Sequence, residues 1–140
     1  WEATDLNIEL TLKEFRRLLD MVYIGNWVLN STRGDDRFED YDLLEEKLFS
    51  LCKTTGMPAL VSNYRGHCRP SRAFEEGGIH EAIADYEDAV FFDILAEELA
   101  RRDLGLGPAE PGDLAAVAER MEDYLTEFEA NGLDNLKVDI

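Results

Sequence analysis

Sulfur, imidazole and positive charge are all scarce in this chain. Two cysteines, Cys52 and Cys68, and two histidines, His67 and His80, are all that 140 residues hold. At most one bridge can form, so no disulfide framework supports the fold. Reduced thiols in a cytosolic, cytoplasmic setting are the simpler expectation. A structural zinc site needs four ligands, usually in closely spaced pairs. Cys52, His67, Cys68 and His80 contain no C-x-x-C or H-x-x-x-H pair. The E-x-x-H signature of di-iron bundles is missing too, and no metal or cofactor is expected.

Long apolar runs are also absent. None reaches the roughly 18 residues that would span a bilayer. No charged amino-terminal stretch leads into a continuous apolar segment, so a secretory signal is not expected. The sequence begins at Trp1 rather than Met, and what precedes it is left open.

Lysine and arginine number 14 against 31 aspartates and glutamates, a formal net charge of −17. A field of that sign repels nucleic acid and anionic membranes, so neither is an expected partner. It favours basic proteins. The plainer alternative is a solvated acidic surface with no partner at all.

What is present is helix. Apolar residues make up 45% of the chain, which argues against disorder. Its length gives a single domain, 1–140, large enough to bury a core unaided. The pattern predicts helices over about 12–30, 41–55, 79–103 and 114–130, with an irregular loop over 57–70. Thr11 and Glu14 form a capping box ahead of the first helix, whose face carries Leu12, Phe15, Leu18, Leu19, Val22, Tyr23 and Leu29. Gly25 inside it points to a close helix approach. The second helix has Tyr41, Leu44, Leu48, Leu51 and Cys52 on one stripe, and Gly56 and Pro58 stop it. Ser71 can cap a single turn, Arg72 to Glu76, ended by Gly77 and Gly78.

The central helix from Ile79 is apolar at every position from Ala89 to Ala96 except Asp93, as expected of a buried rod. Arg101 and Arg102 suit its carboxyl end. Asp113 caps the last helix, whose stripe is Leu114, Val117, Ala118, Met121, Leu125 and Phe128. Leu6–Leu10 and Leu136–Ile140 alternate apolar and polar residues. Pairing of these N- and C-terminal segments would add a small β ribbon to a mainly α, four-helix bundle-like fold; loose termini are the alternative.

Four constellations can carry chemistry. Arg65, His67, Arg69 and Arg72 form a basic loop in an acidic chain, suited to an anion or acidic ligand unless they dock on the protein's own carboxylates. Cys68 beside His67 would make a thiol nucleophile only if the two side chains met. Asp35, Asp36, Glu39, Asp40 and Asp42 are oxygen-rich but lack the order of a calcium loop. Asn26 and Asp93 interrupt apolar helices, which implies a buried polar site, a register-fixing hydrogen bond, or exposure of Asp93. Finally, Phe92, Leu95, Ala96 and Leu99 form a second stripe on the central helix. If no neighbouring helix covers it, it is the seam of a homodimer.

The sequence therefore points to a small acidic protein that acts by protein–protein interaction, with no evident catalytic activity. Anion binding through the loop 65–72 is the alternative. An enzyme using Asp93 or Cys68 is a second alternative.

Overall fold

The computed structural model describes residues 4–140; Trp1 to Ala3 lie outside the described residues. The chain is mainly helical with one small antiparallel ribbon. Its elements are α1 (Leu12–Asn30), α2 (Glu39–Ser50), β1 (Val61–Tyr64), β2 (His67–Pro70), the single turn α3 (Arg72–Phe74), α4 (His80–Asp103) and α5 (Leu114–Asn131). No helix among the described residues is long and apolar enough to cross a membrane. Two compact units are distinguished, Trp1–Ile83 and Ala84–Ile140, with the boundary inside α4.

The first unit is built on α1. The Thr11 side chain accepts from the Glu14 amide at 3.1 Å, and Glu14 accepts from the Thr11 amide at 3.0 Å, closing the expected capping box. Phe15, Leu19 and Tyr23 then recur every fourth residue and bury one stripe. They pack with Phe49, Cys52, Phe74, Ile79 and Ile83. Phe74 is the hub: its ring meets Phe49 edge-on at 4.9 Å and Tyr23 at 5.2 Å, with the Arg16 guanidinium 4.9 Å above it. Leu12, by contrast, is exposed. Gly25 supports no close approach, because a Cβ there would meet nothing within 4 Å.

Past Tyr23 the buried stripe of α1 turns polar, continuing through Asn26 and Asn30. Those two amides determine how α2 lies. Asp42, Glu45, Glu46 and Phe49 occupy the inward side of α2, the i, i+3, i+4, i+7 face. Tyr41, Leu43, Leu44 and Leu51 are left 42%, 62%, 50% and 45% exposed. The apolar stripe expected to be core therefore faces outward for most of its length. Only Leu48 and Cys52 of that stripe join the core. The helix also ends sooner than expected, at Ser50, and continues as a tighter turn through Lys53.

Within the loop expected to be irregular, residues 61–70 form a hairpin: Val61 pairs with Pro70, Ser62 with Arg69, Asn63 with Cys68 and Tyr64 with His67. Arg65 and Gly66 make its two-residue turn with φ of +50° and +80°. That pair of left-handed residues defines a primed turn whose twist matches the strands. The ribbon is thus internal. Leu6–Leu10 and Leu136–Ile140 contain no strand, and Leu6, Ile8, Val138 and Ile140 are exposed. Each offers only one short apolar face, too little to order a ribbon on its own.

Ser71 joins the hairpin to the core. Its hydroxyl accepts from the Phe74 amide at 3.2 Å and donates to the Ala59 carbonyl at 2.5 Å, while its amide reaches the Leu60 carbonyl at 2.9 Å. In the second unit, Ala96, Leu99 and Phe128 are buried, with Phe92, Leu95, Met121, Tyr124 and Leu125 packed around them. Asp113 caps α5 through the Ala115 and Ala116 amides.

Candidate functional site

The main recess of the first unit is a cleft of about 540 Å³ lined by residues of α1, α2, β2 and the segment after α3. Four carboxylates reach it, from Asp42, Glu45, Glu46 and Glu75, against the guanidinium groups of Arg37 and Arg69. A smaller recess of about 240 Å³ adds Asn26, Trp27 and Ser31 and shares Tyr23, Arg37 and Glu45 with the first.

Asn26 stands at the centre. Its amide nitrogen donates to Asp42 at 3.0 Å and to Glu45 at 2.8 Å. Its oxygen accepts from Asn30 at 2.7 Å. Asn30 in turn donates to the Phe38 carbonyl and accepts from the Phe38 amide, pinning the chain where α2 begins. Arg37 holds Asp42 with two nitrogens, at 3.0 and 2.9 Å.

The two carboxylates bridged by Asn26 are pushed apart in acidity. Hydrogen bonding from Arg37 holds Asp42 below the ordinary carboxylate range. Burial raises Glu45, with the charge of Asp42 adding to it and the Asn26 hydrogen bond opposing. Nearby, Tyr23 Oη lies 2.6 Å from His80 Nε2. Burial, then the charges of Glu75 and Glu45, push this phenol up to about 12, so it keeps its proton at neutral pH. Chemically, the cleft offers one carboxylate held ionised and one inclined to hold a proton, as in acid–base pairs, but Asn26 already engages both.

The residues singled out in the sequence fall in different places. His67 is tied to Glu46 at 3.1 Å, and Glu46 also accepts from the Cys68 amide at 3.2 Å. Arg72 pairs with Glu76 at 2.6 Å. Arg65 and Arg69 instead lie over the Tyr64 ring, at 5.2 and 4.9 Å, and neither has a carboxylate within 4.0 Å among the described residues. The expected cluster is therefore divided.

The Cys68 thiol donates to Asn63 at 3.4 Å rather than meeting His67, because successive strand residues point to opposite faces. Both cysteines are free. Asp93 is exposed and is no part of a buried polar site, whereas Asn26 is buried as expected. Phe92, Leu95 and Leu99 face α5 of the same chain, with the Phe92 and Phe128 rings 5.3 Å apart. A homodimer seam through them would have to displace α5. No group of three or more possible ligands is placed to hold a metal among the described residues.

Sequence reasoning does not single out Arg37, Glu45, Glu46 or Tyr23 for a site, and places Asp42 only in the acidic segment 35–42. The spacing of Asp42, Glu45, Glu46 and Phe49 does mark one helix face, but in an acidic chain such a face reads as solvated. No family model matches the chain, and neither curated proteins nor solved structures give a match.

Proposed function

We propose that this protein acts by binding another protein through the outward side of α2, with no catalysis of its own. The observation that supports it is the inversion of α2: Asp42, Glu45 and Glu46 turn inward onto Asn26, Arg37 and His67, and Tyr41, Leu43 and Leu44 turn to solvent. Leaving Tyr41, Leu43, Leu44 and Leu51 in water forgoes burial of roughly 25 cal/mol per Å². Apolar surface gathered on one helix in this way marks an interaction site more often than scattered exposure does. The two free thiols favour a cytoplasmic setting for this binding.

A photo-crosslinking side chain at position 44 tests the reading. Position 119 on α5, also exposed, serves as the control. A discrete adduct from 44 alone in host lysate is expected. Equal labelling from both positions, or none, would overturn it.

A second reading rests on Arg65 and Arg69. Their guanidinium groups stack on Tyr64 without a carboxylate partner among the described residues, which leaves the hairpin free to take a small anion. His67 and Arg72, engaged with Glu46 and Glu76, contribute less.

A further inference from the structure

We propose that the segment covering the outward side of α2 is a basic amphipathic helix of the partner protein. This rests on the binding reading above and names its occupant. Tyr41, Leu44 and Leu51 recur at i, i+3 and i+10 and are exposed, with Leu43 beside them and Leu48 turned to the core; such a row is what a second helix packs against. From Tyr41 in α2 to Leu51 in the turn that follows it, the ridge runs about 15 Å. That accommodates three turns of a partner.

Charge decides what kind of helix. Between Asp35 and Leu51 the chain carries seven carboxylates against Arg37 and Lys47. Arg37 is spent on Asp42. Glu39 and Asp40, at the start of the ridge, are exposed and have no basic partner within 4.0 Å among the described residues. A second copy of a chain with net charge −17 would bring like charges together, which is costly at an interface. An anionic membrane is disfavoured for the same reason. Lysine or arginine flanking an apolar spine satisfies both the ridge and its rim.

The test uses the full chain and two synthetic helical peptides of about four turns. One has a leucine spine flanked by lysines; the other has glutamates in place of the lysines. Binding is read by isothermal titration, and the mass of the chain alone by sedimentation.

The expected result is a monomer that binds the lysine peptide and not the glutamate peptide, with affinity falling at least about tenfold between low and physiological salt. Leu44→Asp should abolish this binding although it adds a negative charge. Attraction by charge alone would instead make the variant bind more tightly, and that outcome overturns the proposal. A dimer dissociated by Leu44→Asp overturns it in favour of a second copy. Equal binding of both peptides, lost in Leu44→Asp, removes the basic partner but leaves α2 as a docking surface. No binding of either peptide, with α2 crosslinking also absent, removes both.

Discussion

Asn26 holds Glu45 at 2.8 Å, and that contact turns the acidic side of α2 inward. The same amide nitrogen serves Asp42, and the amide oxygen serves Asn30. Replacing Asn26 with alanine strips one partner from each of three polar side chains. The expected loss is about 1–3 kcal/mol of unfolding free energy, measured by urea denaturation. Asn26→Asp should cost more, because it sets a third carboxylate against Asp42 and Glu45.

Glu45 gives the first unit an unusual pH response. Its folded pKa is raised, chiefly by burial, above the ordinary glutamate value of 4.5. A raised carboxylate contributes most below its unfolded pKa, and the contribution is lost as pH rises through the folded value. Thermal stability should therefore gain from this group as pH falls through its raised folded pKa toward the ordinary carboxylate range. Glu45→Gln should raise the melting temperature at pH 7 and flatten the profile in that window. A profile unchanged by the substitution would refute the assignment.

Asp103 has the opposite sign. Hydrogen bonds from Tyr124, Arg102 and Arg120 lower it from 3.8 to about 2. Its contribution is present above the unfolded pKa and disappears as pH falls through the folded one. The wild-type chain should lose this contribution between about pH 4 and 2. Asp103→Asn should show a weaker acid dependence there, followed by circular dichroism of the helices.

Gly25 lies inside α1 where a Cβ has open space. Gly25→Ala should stabilise the protein by about 1 kcal/mol, the ordinary difference in helix propensity. A destabilised variant would contradict the open space at that face.

If the hairpin takes anions, sulfate or phosphate should raise the melting temperature of the wild type. Arg69→Ala should remove the shift while leaving the melting temperature in chloride unchanged. Arg72→Ala, whose target is already paired with Glu76, should keep it.

Helix positions were readable because their signals are local. The capping box at Thr11 and Glu14, the caps at Ser71 and Asp113, and the stripe of α5 all depend on residues within a few positions of one another. The facing of α2 was not. Tyr41, Leu44, Leu48 and Leu51 make a sound amphipathic pattern, and only donors distant in sequence, on Asn26, His67 and the Cys68 amide, make the reverse orientation favourable. The hairpin was hidden for another reason: its turn is Arg65-Gly66, where asparagine or aspartate usually precedes the glycine. The arginines of the loop share one short segment, but Arg65 and Arg69 stack together on Tyr64 whereas Arg72, beyond the hairpin in α3, pairs with Glu76.

The two thiols give the chain a built-in pair of chemical clocks. Cys52 is fully buried among the first core, and burial raises its pKa, so little thiolate is present and reagent has no path to it. Cys68 is partly accessible on β2. An alkylating reagent should modify Cys68 in the folded protein and Cys52 only when the core of α1, α2 and α3 opens. The ratio of the two rates then reports how often that core opens under native conditions, with no denaturant and no added label.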